Sequence, residues 1–424
     1  MVNPQHDSTG GAGPSEPVNE PVDIALYGAT GFVGALTAAY LAEHAPPGVT
    51  IALAGRSEAK LAATRASLPA AARDWPLIVA DSGDPAATDR LAQAARVVVT
   101  TVGPYARHGR NLVASCARAG THYADLTGEV LFVRDSIDRC HGVAESTGAR
   151  IVHSCGYDSV PSDLGVWLAH AAASADDAGG LTEVRTLASL RGGVSGGTVD
   201  SLRGQLDAVR ADRSLRRLAA DPHALSPDRA AEPTPSQPAD AAAPGRARDG
   251  RWTAPFVMAS HNTRIVRRSN ALLGHAYGRG LRYGELQNCG RGPLGAVTAA
   301  GVTAGLGALL GAFALTPLRP LLDRVLPAPG TGPSERTRER GWFRMDTDAR
   351  TGRGARYRVQ VSGPGDPGYA ATAVMLGESG LALALGGASL PDRAGVLTPA
   401  TAMGDVLVER LRAAGQTLSA ERIG

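Results

Sequence analysis

Lysine is almost missing from this chain. Lys60 stands alone among 43 basic side chains, and the rest are arginines. Any chemistry that needs a lysine nucleophile, Schiff-base formation included, would have to use that one residue. Aromatic side chains make up only 4% of the sequence, and the formal net charge is +3. Neither a base-stacking surface nor a strong basic field is available, which argues against nucleic acid as a partner. Four cysteines, Cys116, Cys140, Cys155 and Cys289, form no C-x-x-C pair and no metal-ligand spacing with histidine. They read as free thiols of a reducing compartment, and no metal site is expected. Residues 1–20 hold Gly, Pro, Ser and Glu without an apolar stretch. They read as a disordered tail rather than a signal peptide, and the expected location is cytoplasmic.

What the chain does have starts at Val22. A short apolar run, Val22 to Tyr27, leads into Gly28-Ala29-Thr30-Gly31-Phe32-Val33-Gly34, and an apolar helical pattern follows. Strand, glycine turn and helix in that order form the context of a dinucleotide-binding fingerprint. Gly28 allows the tight turn, Gly31 lets a pyrophosphate approach the backbone, and Gly34 lets helix and strand pack closely. The pyrophosphate would then sit on free N–H groups at the helix start.

The next apolar run, Ile51 to Gly55, ends in Arg56-Ser57, with Lys60 one turn later. A site specific for NAD places a carboxylate there to hold the ribose 2′-hydroxyl. A guanidinium instead pairs with a 2′-phosphate through two hydrogen bonds, so Arg56, Ser57 and Lys60 point to NADP(H). Arg56 also occupies the position where a Y-x-x-x-K pair would put its tyrosine, so the acid of the short-chain dehydrogenases is absent.

Strands are expected at 22–27, 50–54, 76–80, 96–101, 121–125 and 149–154, and helices at 32–44, 57–68, 85–93, 109–119 and 130–147. This alternation predicts an α/β fold, a doubly wound parallel sheet of Rossmann type over residues 21–160. Asp81 falls beside the adenine. The strand 96–101 ends in Thr101-Val102-Gly103-Pro104-Tyr105, at the switch point, and Thr101, Gly103 and Pro104 become candidates to line the nicotinamide end. A plain turn is the other reading of Gly103-Pro104. Two polar clusters follow at strand ends, His122 to Glu129 and His153 to Asp163. Ser162 or Asp163 can cap a helix at 164–174. Tyr157 and Asp158 have no such structural task.

Residues 161–424 are expected to form a second, mixed α+β domain. Its expected parts are a strand at 183–190, a helix at 198–219, strands at 252–259 and 355–363, and helices at 368–386 and 399–414. The loop Gly192 to Thr198 reads equally as an anion site or a hinge. Residues 220–250 lack periodicity and read as a disordered insertion. Leu294 to Leu315 is an uncharged run of 22 residues. It admits three readings: a buried or dimer-forming helix, an element on a membrane surface with Pro317–Leu326, or a true span.

The glycine turn, Ala54-Gly55-Arg56, Val102-Gly103-Pro104-Tyr105, Tyr123 to Glu129, Cys155 to Asp163 and Gly395-Val396-Leu397-Thr398-Pro399-Ala400 together resemble the saccharopine dehydrogenase-like oxidoreductases, in the actinobacterial branch of trans-acting enoyl reductases. The resemblance implies that the last segments of the chain return to the core. It implies an apolar acyl substrate, carried on a separate polyketide synthase. Membrane contact and a homodimer are compatible with it. The lone lysine departs from the amine-handling sites of true saccharopine dehydrogenases.

The expected activity is therefore NADPH-dependent reduction of an enoyl thioester. Hydride would reach the β-carbon, hydrogen-bond donors would face the thioester oxygen, and an acid would protonate the α-carbon. Tyr157 is the first candidate for that acid, with Asp158 and Tyr105 next. The alternatives are a reductase of another carbonyl or imine substrate, and a non-catalytic NADP-binding scaffold at a lipid surface.

Overall fold

The structure, a computed structural model, describes residues 20–192, 196–233, 235–241, 243–314 and 332–424. The expected tail up to residue 19, residues 193–195 of the Gly192 to Thr198 loop and the Pro317–Leu326 segment lie outside the described residues.

Two seven-stranded sheets organise the chain. In chain order the strands are β1 (Val22–Tyr27), β2 (Ile51–Gly55), β3 (Leu77–Val79), β4 (Ala95–Thr100), β5 (His122–Ala124), β6 (Arg150–Val152), β7 (Leu181–Arg191), β8 (Gly245–Arg246), β9 (Trp252–Pro255), β10 (Arg282–Asn288), β11 (Trp342–Thr351), β12 (Arg356–Pro364), β13 (Gly395–Leu397) and β14 (Thr417–Arg422). The first sheet has the order β13-β6-β5-β4-β1-β2-β3, and every pairing in it is parallel. Its central strands are buried along most of their length, as a sheet covered on both faces requires. The chain order reverses at β1 and β4, so the ligand crevice of a doubly wound sheet opens there. The strand β13 joins this sheet after six strands of the second sheet, whose last strand, β14, follows it.

The second sheet has the order β14-β12-β11-β7-β10-β9-β8; β7 and β10 run parallel and the other pairs antiparallel. Helix Val160–Ala175 lies between this sheet and helix Pro399–Ala413, buried on both sides. It starts four residues before the expected 164, and neither Ser162 nor Asp163 caps it. Asp163 is fully buried and serves another helix instead. Its Oδ2 accepts from the N–H of Ala400 at 2.8 Å, in the first turn of Pro399–Ala413.

Residues 220–250 are not the disordered insertion that their composition suggests. Three arginines of helix Ala259–Leu272 hold carbonyls in or beside the segment: Arg264 that of Ala219, Arg267 that of Pro222 and Arg268 that of Leu225. Arg264 also pairs with Asp240 at 2.7 Å, and Leu225 is fully buried. Order here comes from side chains remote in sequence, so no local periodicity announces it. The expected helix 198–219 is two helices, Gly196–Ala211 and Arg213–Ala220, broken at Asp212, whose carboxyl group caps the second.

Candidate active site

The glycine turn fits a dinucleotide. Gly28 has φ +89°, and a Cβ there would lie 2.7 Å from Thr101 Oγ1 and from Val102, across the β1–β4 seam. A Cβ on Gly34 would lie 2.1 Å from the Gly28 carbonyl oxygen, so only glycine permits this packing. Helix Phe32–His44 begins without a side-chain cap and without an acid in its first turn. Its leading N–H groups therefore have no side-chain cap of their own, as an anion site needs. Thr101 secures the turn by donating to the Gly28 carbonyl at 3.2 Å.

At the end of β2, Arg56 and Lys60 are exposed beside the turn. Ser57 caps helix Glu58–Ser67 by accepting from Lys60 N, and its hydroxyl proton remains available. Asp81 holds its own turn by accepting from Gly83 N at 2.8 Å. Gly103 is exposed and Pro104 half-buried just past β4.

The three acid candidates differ sharply. The Tyr105 hydroxyl donates to the Thr100 carbonyl at 3.2 Å and accepts from Leu126 N at 3.1 Å, deep in the domain. The Tyr157 hydroxyl points across to the second sheet. It meets Met345 Sδ at 3.6 Å and lies edge-on to Phe343. Burial raises both phenols above their ordinary range. Asp158 is half-buried, and burial, aided by the nearby charge of Asp125, raises its carboxyl group to about 7. Its side chain borders Gly128, which also meets Met258 of the second domain.

Next to it the two polar clusters at the ends of β5 and β6 join in one buried network. Asp125, fully buried, accepts from Tyr123 Oη and, through the same oxygen, meets His153 Nδ1 at 2.7 Å. Its other oxygen accepts from the N–H groups of Thr127 and Ser154. Ser154 is held at φ 64° and donates to the Thr127 carbonyl; its Oγ lies 2.8 Å from His261 Nε2 of the second domain. Burial pushes His261 down to about 3, so it is neutral. Glu129 accepts from the N–H groups of Tyr105 and Ala106, and Ser201 of helix Gly196–Ala211 donates to it at 2.7 Å. The two domains thus meet over the ends of β5 and β6. A separate 530 Å³ cavity opens at the opposite edge of the sheet, lined by His122, Arg150 and Leu390 among others, and holds none of these groups.

A doubly wound sheet with this turn, an arginine in place of the ribose-binding acid and a second domain over the strand ends define the class of two-domain NADP-dependent oxidoreductases. A family model described as the saccharopine dehydrogenase NADP binding domain matches residues 24–152. A Mycobacterium tuberculosis protein assigned by name to the trans-acting enoyl reductases is 52% identical over 412 residues, 95% of this chain and 98% of its own length. A trans-acting enoyl reductase of Mycobacterium bovis is 46% identical over 96% of this chain and 99% of its own. The chain belongs to the trans-acting enoyl reductase family. Its fold is shared with the apo saccharopine dehydrogenase (L-Glu forming) of Saccharomyces cerevisiae at a TM-score of 0.52 and 14% identity, over 95% of this chain and 99% of that one.

Proposed function

We propose that this protein reduces the C=C bond of an enoyl thioester with NADPH, and that Asp158 supplies the proton. Bound NADPH supplies the hydride that reaches the β-carbon. The uncapped start of helix Phe32–His44 and the glycine turn hold its pyrophosphate, and Arg56, Ser57 and Lys60 hold its 2′-phosphate. Thr101, Gly103 and Pro104 line the nicotinamide end. The α-carbon then needs one proton, and an acid that gives it at neutral pH must be protonated there. Asp158, at about 7, is the crevice group that meets this need. Tyr157, with its hydroxyl on a methionine sulfur, and Tyr105, with its hydroxyl already engaged on both sides, take supporting roles.

The observation that supports this reading is the half-buried carboxyl group of Asp158, raised by burial to about 7, which borders Gly128 where that glycine meets Met258 of the second domain. The experiment is a turnover assay with NADPH and a 2-enoyl thioester, with the product identified by mass. A saturated acyl thioester supports the reading; NADPH bound but not consumed with enoyl substrates of any length rejects it.

The acyl chain is proposed to arrive on the carrier of a polyketide synthase, the sense of acting in trans. Contact with a membrane surface is the second proposal. Helix Gly292–Ala314 leaves Leu294 and Val297 78% and 69% exposed, and only 11% of its most apolar stretch is buried. Flotation with vesicles tests it. Self-association in their absence would assign the helix to a dimer instead.

A further inference from the structure

The start of helix Phe32–His44 carries no basic side chain of its own. A bound dinucleotide brings a doubly charged pyrophosphate there, and helix N–H groups balance only about half a unit of charge. A cation from elsewhere in the fold is available. The Arg338 guanidinium lies over the Phe32 ring, 5.2 Å from its centroid. Phe32 belongs to the glycine turn itself and is gripped by the second domain. Tyr369 meets its ring edge-on at 5.0 Å, and a Cβ on Gly332 would lie 2.2 Å from a ring carbon. The segment from Gly332 to Arg340 therefore runs across the mouth of the nucleotide turn.

Among the described residues Arg338 pairs with no carboxylate. Its side chain donates to the Pro333 carbonyl at 2.9 Å. Its charge partly offsets the burial that raises the Asp366 carboxyl group above its ordinary value, with no hydrogen bond between the two side chains among the described residues. The backbone around it is fixed: Asp366 N donates to the Arg338 carbonyl at 3.0 Å and Gly365 N to that of Gly341. A guanidinium stacked on an aromatic ring keeps its N–H edge open for a phosphate.

We infer that Arg338 is a cofactor-binding residue, contributed by the second domain, that pairs with the dinucleotide pyrophosphate and closes the crevice over it. The inference rests on the glycine turn as the pyrophosphate site, and its test separates the two.

Nicotinamide fluorescence is titrated with NADPH and NADH in the full chain and in Arg338→Ala, with adenosine 2′-monophosphate as a competitor that has no pyrophosphate. Loss of one charge-assisted contact should weaken both dinucleotides by the same factor, about 10- to 100-fold, and leave the competitor unchanged. Arg338→Lys should recover part of the loss. Unchanged dinucleotide affinity in Arg338→Ala overturns the inference. So does an equal weakening of adenosine 2′-monophosphate, which marks a structural effect, and circular dichroism of both variants checks the fold directly. If the unaltered chain binds neither dinucleotide, the nucleotide site itself fails.

Discussion

Asp163 and Ala400 are joined by a hydrogen bond across 237 positions of sequence: the Asp163 carboxyl group caps the helix that follows β13. The same group accepts from Ser269 at 2.5 Å. One buried side chain thus ties helix Val160–Ala175, helix Ala259–Leu272 and the returning C-terminal segment together. Asp163→Ala leaves buried donors unpaired and should cost about 3 kcal/mol, seen as a lower melting temperature. Burial outweighs the hydrogen bonds and raises Asp163 to about 6 from 3.8. Between those values the folded chain binds the proton and the unfolded chain does not. Its contribution to stability is thus largest below the lower value and is lost as pH rises to the upper one. Asp163→Asn should flatten that part of a melting-temperature profile.

Arg56→Asp should weaken NADPH far more than NADH. The lost contact is worth about 1.5–3 kcal/mol, and the new carboxyl group repels the 2′-phosphate. Paired fluorescence titrations read the ratio, and an equal loss for both dinucleotides would remove Arg56 from this role. The contrast with Arg338→Ala, where both should fall together, distinguishes the two ends of the cofactor.

Arg268 is buried to 1% exposure and donates to the carbonyls of Leu225 and Val396. It pins both the 220–250 segment and β13. Arg268→Leu should destabilise the chain by about 3 kcal/mol, measured by denaturant unfolding. An unaffected midpoint would mean that the segment packs without it.

The first sheet was legible because its strands are continuous apolar runs set between glycines and helical patterns. The ends of β1 to β6 fall within about two residues of the expected ones, whereas β13 was not expected as a strand. The second domain was less so. The strand Trp342–Thr351 carries Arg344, Asp346, Asp348 and Arg350 on one face, and its alternation was not expected from so charged a segment. Arg264, Arg267 and Arg268 look like a solvated helix face until the carbonyls they hold are known. In the site, residue type pointed first to Tyr157, whereas the proposal rests on Asp158. Sequence names the groups at a strand end but cannot tell which one faces a methionine sulfur of the second sheet. Met345 and Phe343, which decide this for Tyr157, lie nearly 190 positions away.

Tyr157→Phe removes a hydroxyl that meets only a thioether, so turnover should stay within about twofold at unchanged NADPH affinity. A large fall in the steady-state rate would return the proton to Tyr157.

The most direct test of the account is the pH dependence of kcat for enoyl thioester reduction, in the unaltered chain and in Asp158→Asn. The reacting form holds its proton on Asp158, so kcat should be level at low pH and fall as pH rises through about 7. Asp158→Asn should lower kcat by about 10²- to 10⁴-fold and remove that alkaline fall, with NADPH affinity unchanged. An Asn variant that keeps both the rate and the fall near 7 would contradict the account.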